Sequence, residues 1–416
     1  MVDRTPVIIG FDAVSPLGIV LEEQWQKALS GRSGVGPLTR FALFPDFPVR
    51  VAGQVLPIDH LDYTFLNPEE QSRWVSPIYK YAFLTVQRAL ERSGLVISSE
   101  SADRVAVTYS SAFGGLDAIL TADRKIAAHD FLVDYQNYPN VCAGMIGTGI
   151  ARSINSKGPV IPCVGACASG VMSLLIGAML LAQDRADVVV CGAVDFPLVE
   201  PIVAGFAAVN MAYSPKEGQR LMLPQACSRP FSVDRQGVVI AEGAGCILLA
   251  TRQFAKDNGL NAAVEIAGWN MTTDAHEQVT PCYESVTRCI SGSIENAKLK
   301  PDAIHAVNAH ANGTCDGDQV EADALRKVFN GNVPPITANK SLFGHAIGAS
   351  SAIESVLTIT AMLAEELPPT INYQPDPALA LDSVIPNRHK LIQEYVLKNA
   401  FSFTGCNACV IFRRVH

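Results

Sequence analysis

The sequence predicts an α/β fold made of two similar halves, and three observations carry that prediction. Short β-rich runs alternate with helical runs along the chain, the pattern of strands and helices packed in layers. Most strand candidates are continuous apolar runs, as expected of strands buried on both faces. A turn of small residues that opens into an apolar helix occurs twice: PCVGACASG at 162–170 leads into 171–183, and KSLFGHAIGA at 340–349 leads into 352–364.

Taken in order, the expected strands of the first half are residues 7–10, 104–108, 188–191 and 245–250. Those of the second half are 263–269, 305–309 and 409–412. The helices at 171–183 and 352–364 are apolar on most faces, which places them inside the protein. The polar, glycine-containing stretch RQFAKDNGL at 252–260 is the expected boundary, giving halves of 1–255 and 256–416.

Composition narrows the function. With 49% hydrophobic and 17% charged residues in a chain of 416, a large packed core is expected. The net charge of −8 lacks the basic footprint of a nucleic-acid surface. The longest apolar stretch, 171–182, is too short to span a bilayer, and the opening MVDRTPVIIG reads as a strand with no charged leader, so a cytoplasmic location is expected. Eleven cysteines in apolar segments suit free thiols in a reducing compartment. Cys406 and Cys409 form a lone CxxC. With no second pair and no histidine nearby, it reads as small residues in a buried strand rather than a metal or redox site.

Five residues stand out chemically. Cys167 lies where a helix begins, near the positive end of its dipole and its unpaired N–H groups, which favour the nucleophilic thiolate. The alternative is a small buried cysteine among Gly165, Ala166, Ala168 and Gly170. His310 ends a strand and opens the loop Ala311-Asn312-Gly313-Thr314, and His345 lies in the Gly344–Ala346 turn; each also suits a structural histidine. Lys340 neighbours a buried turn, and Glu354 is an acid within an apolar helix. The two either pair with each other or reach solvent, since an unpaired buried charge is costly.

Several blocks then line up in order. Ser15-Pro16-Leu17-Gly18, Ser33–Pro37 with Arg40-Phe41, and Phe47–Gly53 open the series. Ala166–Gly170, Ser228–Phe231 with Asp234-Arg235, and Glu242–Gly245 follow. His310 with Gly317-Asp318 and Glu321, Lys340-Ser341 with Gly344-His345, and Asn399, Phe401, Phe403, Gly405 and Asn407 complete it. Together they resemble, over nearly the whole chain, the β-ketoacyl-acyl-carrier-protein synthase I/II group of the thiolase superfamily. The resemblance implies a thiolase-like duplicated α-β-α-β-α layered fold. It also implies a decarboxylative Claisen condensation: Cys167 accepts an acyl group from a thioester, and His310 and His345 hydrogen-bond to the carbonyl of a malonyl thioester as carbon dioxide leaves. The N–H groups of Cys167 and Phe403 would form the oxyanion hole, Phe403 would gate the site, and Lys340, held by Glu354, would position the histidines. Asn312 and Thr314 would hold the pantetheine arm. The implied partners are an acyl carrier protein bearing malonyl and acyl groups, and a second subunit placed near 138–147. No metal or organic cofactor is implied.

Four departures from that pattern refine the expectation. Asn312 stands where the group has Thr, and Ser402 and Thr404 replace glycines beside Phe403, which stiffens that loop. Phe113 falls where the group has a smaller residue facing the acyl pocket, predicting a short or unusual acyl chain; the alternative is plain core packing. The docking run 70–77 contains only Arg73 as a base, and Asn210 replaces an arginine. A carrier that docks differently, a basic partner subunit, or a coenzyme A ester as donor would each answer that weakness. The readings to separate are a condensing enzyme of fatty-acid or polyketide-type biosynthesis, an acyltransferase or malonyl decarboxylase on the same fold, and a subunit of a heterodimeric ketosynthase, homodimeric association being the default.

Overall fold

The computed structural model describes residues 2–58, 61, 73, 74, 76–133, 137–215, 222–275 and 279–415. Nine strands form one mixed sheet: β1 (Pro6–Val14), β2 (Val105–Val107), β3 (Val188–Asp195), β4 (Gly243–Thr251), β5 (Val264–Thr273), β6 (Ala306–Asn308), β7 (Ile336–Thr337), β8 (Tyr395–Phe401) and β9 (Cys406–Arg414). Their order across the sheet is β2-β3-β4-β1-β5-β9-β8-β6-β7. From either edge towards the centre the directions repeat. β2 runs parallel to β3, then β4 and β1 are antiparallel; β7 runs parallel to β6 and β8, then β9 and β5 are antiparallel. Val160 adds a parallel bridge to Val107 at the β2 edge, matching the place of β7. The two arrays join where Val7 opposes Glu265 and Ile8 opposes Val264. The duplication expected from the two small-residue turns is therefore present in the strand order.

The seven expected strands all form, several with longer ends, because their branched apolar residues are buried on both faces, as Val188-Val189-Val190 in β3 are. Strands β7 and β8 lie outside the expected set. β8 carries Lys398 and Asn399 within its apolar run, which hides its pattern. The expected boundary at 252–260 contains a short helix, Arg252–Asp257, started by Thr251, whose hydroxyl accepts from Phe254 N–H at 3.2 Å.

Four helices frame the sheet: α1 (Pro77–Ser93), α2 (Ser169–Ala182), α3 (Tyr283–Asn296) and α4 (Gly348–Ala364). α1 covers β1 and β4 on one outer side, and α3 covers β5 on the other. α2 and α4 pack against each other and against strands of both arrays, as their all-round apolar sequences predict. Two buried hydroxyls of α4 bond back to the helix, Ser355 to Ser351 O at 2.7 Å and Thr358 to Glu354 O at 2.7 Å. At the crossing, a Cβ on Gly170 would lie 2.3 Å from Ala352 N, so only glycine lets the helices approach this closely. Ser351 Oγ accepts from Val171 N–H at 3.3 Å, tying the two helix starts together. Motif residues distant in sequence also meet: Arg40 donates to the buried Glu242 at 2.6 Å, and Arg235 pairs with Asp376 at 2.6 Å. Among the described residues, no helix is long and apolar enough to cross a membrane.

Candidate active site

Cys167 sits in a 3₁₀ turn, Ala166–Ala168, that runs straight into α2. The residue before it, Ala166, is held at φ +47°, a left-handed conformation that costs an alanine about 1–2 kcal/mol. Ser169 fixes the turn: its hydroxyl donates to Ala166 O at 2.7 Å and accepts from Gly165 N–H at 3.0 Å. The thiol is buried, and burial pushes it up to about 12, against the pull of the Lys340 charge and of the N–H groups of Phe403 and of Cys167 itself. The expected bias towards thiolate is thus outweighed by desolvation, and the thiol keeps its proton at neutral pH.

His345 follows Gly344, which has a φ of +83° and approaches the neighbouring backbone so closely that a Cβ would lie 2.7 Å from Val239 O; both exclude a side chain there. The Nε2 of His345 lies 3.1 Å from Cys167 Sγ, and its Nδ1 lies 2.8 Å from Ser350 Oγ. The His310 ring stands nearly perpendicular to it, at 82° and 5.6 Å between ring centres. Burial, and after it the positive charge of Lys340, holds both rings well below the ordinary histidine range, so both are neutral at physiological pH.

Behind the histidines lies a fully buried cluster of charges. The Lys340–Glu354 pair expected from the sequence is formed, at 2.7 Å, and Lys340 Nζ also donates to His310 O at 2.6 Å. The sequence reading missed a second cation: Lys398 Nζ donates to the other Glu354 oxygen at 2.7 Å and to Asn399 O at 2.6 Å. Its signal is a charge inside an apolar strand. Glu321 accepts from His310 N–H at 2.8 Å, Ala311 N–H at 2.7 Å and Asn399 Nδ2 at 2.9 Å. Asp318, one turn earlier on the helix Cys315–Val328, accepts from Asn312 N–H at 3.0 Å, Gly313 N–H at 3.2 Å and Phe231 N–H at 2.7 Å. These two acids hold the His310 loop from beneath; their three-residue spacing on one helix face is the feature that points to them.

A cavity of ≈ 710 Å³ leads to Cys167, His310, His345 and Phe403 past Asn312 and Thr314. Asn312 Oδ1 accepts from Thr314 Oγ1 at 2.8 Å and Thr314 N–H at 3.0 Å, which turns the Asn312 amide donor away from Thr314. Phe403 meets Phe206 edge-on at 6.1 Å. Its loop is closed by a 2.6 Å bond between the Ser402 and Thr404 hydroxyls. The Phe113 loop hangs from the buried Asp195, whose Oδ1 accepts from Ser111 Oγ at 2.6 Å, Ala112 N–H at 3.0 Å and Phe113 N–H at 3.3 Å. Phe113 packs against the apolar cluster that contains Cys167, Leu198, Val203 and Ile347. Asn210 lies at the cavity wall. Within the run 70–77, Glu70, Gln71, Ser72 and Val75 lie outside the described residues. All eleven cysteines are free, with Cys406 and Cys409 both in β9. Among the described residues, no group of three or more His, Cys, Asp or Glu side chains is placed to hold a metal ion.

Comparison with known proteins identifies the family and the fold. The family profile "Beta-ketoacyl synthase, N-terminal domain" matches residues 4–255, and "Beta-ketoacyl synthase, C-terminal domain" matches 263–374. The 3-oxoacyl-[acyl-carrier-protein] synthase 2 of Coxiella burnetii is 31% identical over 100% of both chains. That of Synechocystis is 31% identical over 98% of this chain and 97% of its own. A β-ketoacyl synthase from Burkholderia phymatum superposes with a TM-score of 0.91 at 28% identity, covering 99% of this chain and 100% of that one. The ishigamide ketosynthase/chain length factor superposes with a TM-score of 0.88 at 27% identity, each chain being fully covered. Family profiles matching residues 4–255 and 263–374, with relatives 31% identical over nearly the whole chain, show that the chain belongs to the β-ketoacyl synthase family.

Proposed function

We propose that this chain joins an acyl group held on Cys167 to a malonyl thioester. The observation that carries the reading is the contact of Cys167 Sγ with His345 Nε2 at 3.1 Å, at the inner end of a cavity that His310 also lines. In the first step Sγ attacks the acyl thioester carbonyl, the donor's C–S bond breaks, and the Cys167 proton ends on the departing thiol. The N–H groups of Cys167 and Phe403, both close to Sγ, take the negative charge that develops on the carbonyl oxygen. In the second step the malonyl carboxylate leaves as carbon dioxide, and its bonding pair passes to the α-carbon. The resulting enolate oxygen accepts hydrogen bonds from His310 and His345. The α-carbon attacks the acyl carbonyl, the Cys167 C–S bond breaks, and the thiolate takes up a proton. Neutral rings suit this step because each offers one N–H without first losing a proton. Lys340 and Glu354 position the rings, and Asn312 and Thr314 line the path of the pantetheine arm.

The donors in this reading are malonyl and acyl groups on an acyl carrier protein, with coenzyme A esters as the alternative. Carrier-protein synthases are the curated relatives, and one solved neighbour, 26% identical with a TM-score of 0.89, is a type II PKS acyl-carrier protein in complex with its ketosynthase. Phe113 shortens the acyl site, so a short or unusual chain is the substrate. The protein works as a dimer, with a second copy or a different chain, through the segment around 138–147, where Tyr138 is exposed. The halves are residues 1–255 and 256–416, in a cytoplasmic enzyme.

Intact-mass analysis after incubation with malonyl and acyl thioesters, on carrier and on coenzyme A, tests this. The wild type is expected to gain the acyl mass and release β-ketoacyl product, and Cys167→Ala to do neither. An adduct without condensation would favour an acyltransferase. Carbon dioxide release without an adduct would favour a malonyl decarboxylase.

A further inference from the structure

His345 is bracketed by one sulfur and one oxygen atom. Nε2 faces Cys167 Sγ at 3.1 Å and Nδ1 faces Ser350 Oγ at 2.8 Å. A neutral imidazole carries one proton, so the site works differently according to which nitrogen holds it. Ser350 decides this. Its oxygen already accepts from Ala346 N–H at 2.7 Å. One lone pair is thereby used, and the hydroxyl proton needs an acceptor. Among the described residues, His345 Nδ1 is the acceptor within its reach. The side chain is buried, so the opposite arrangement, with Nδ1–H donating to Oγ, would strand a buried hydroxyl proton without a partner. Ser350 occupies the third position of α4, and the helix start, pinned by Ala349 N–H to Ala346 O at 3.0 Å, holds it rigidly under the ring.

We propose that Ser350 is a positioning residue that locks His345 in the Nε2–H form, so that this ring donates towards Cys167 Sγ and the substrate oxygen beside it and does not take the thiol proton. The proposal rests on the condensing reading above for its kinetic consequence, but not for the protonation state itself. It also assigns the thiol proton of the first step to the departing thiolate, reached directly or through His310, since His345 Nε2 is already occupied. Electron and proton balance is kept: one S–C bond forms, one breaks, and one proton moves from Cys167 to the leaving sulfur.

The test has two readouts. Full-length protein labelled with ¹⁵N at histidine, with the His345 signals identified through a His345→Asn variant, reports the protonated ring nitrogen by its chemical shift. The wild type is expected to show Nε2–H alone, Ser350→Ala a mixture with Nδ1–H, and Ser350→Thr, which keeps the hydroxyl, the wild-type pattern. In condensation assays Ser350→Ala is expected to lower kcat about tenfold, the loss of one buried hydrogen bond, with KM for the acyl donor unchanged and kcat restored by Thr. A wild-type ring found as Nδ1–H, or Ser350→Ala retaining Nε2–H alone, would overturn the proposal. If Ser350→Ala fails to fold, Ser350→Gly, which also lacks the hydroxyl, is read in its place: a mixture supports the proposal and Nε2–H alone overturns it. An Nε2–H ring in a wild-type protein that condenses no thioester would instead overturn the proposed function and leave the role of Ser350 standing.

Discussion

Replacing Glu354 by Gln keeps the shape of the buried cluster and removes its shared charge. Lys340 and Lys398 each lie 2.7 Å from a separate Glu354 oxygen, and all three side chains are at most 1% exposed. Breaking a buried ion pair by deleting one partner costs about 3–5 kcal/mol. Here the loss has a ceiling, because one of the two amines can give up its proton instead of remaining charged. At about pH 7.4, with an ordinary lysine pKa of about 10.4, that release costs about 3 units × 1.36, or ~4 kcal/mol. The variant is therefore expected to lose ~4 kcal/mol of stability near neutrality. Its folded state then binds one proton fewer than its unfolded state, so its stability rises with pH by up to ~1.4 kcal/mol per unit. At about pH 8.9 the deficit against wild type should shrink to ~2 kcal/mol. Urea unfolding of both proteins at the two pH values measures this. A deficit below ~1 kcal/mol near neutrality, or one that does not change with pH, would refute the assignment of Glu354 as the common counter-charge of two protonated lysines.

Two further outcomes follow from the site. Because both histidines are held below the ordinary value of 6.5, their unfolded forms protonate first as pH falls, and the folded state loses up to ~2.7 kcal/mol per pH unit from those two groups below about pH 6.5. The stability difference between wild type and a His310→Asn/His345→Asn double variant at pH 7 and pH 5 isolates that loss from Asp195 and Asp318, whose carboxyls burial pushes up to about 6 and which act in the opposite sense. An unchanged difference would show that the rings are not desolvated. Phe113→Ala is expected to move acyl-donor preference towards longer chains, by about fourfold in kcat/KM for each added methylene that the opened space buries, at ~0.8 kcal/mol apiece. Competition between donors of different length reads this, and an unaltered preference would leave Phe113 with core packing alone.

Much of the site was legible in the sequence because its parts sit at abrupt changes of pattern. Cys167 and His345 lie in small-residue turns before apolar helices, and Lys340 and Glu354 are charges where charge is expensive to bury. What escaped notice was hidden by context. Lys398 reads as an ordinary polar interruption of β8 until its neighbours in space are known, because its partner Glu354 is 44 residues away. Ser350 is one of several small residues after His345, and only the direction of its hydroxyl distinguishes it. The protonation of Cys167 was also beyond reach: the sequence shows a helix start, which favours thiolate, but not the depth of burial that outweighs it.

The order of strands also sets when this protein can acquire reactivity during synthesis. Cys167 is made early, yet the groups that complete its surroundings come from both arrays, and Lys398 and the Phe403 N–H follow it by more than 230 residues. β9 follows and inserts between β5 and β8, so the inner edge of the second array stays open until residues 406–414 have left the ribosome. Until then the thiol has no complete set of partners to activate it. Loss of even the last strand would leave a chain that retains its nucleophile and both histidines, and yet lacks the lattice of backbone bonds that aligns them. The strand order thus ties the surroundings of an early cysteine to a strand that is made more than 230 residues later.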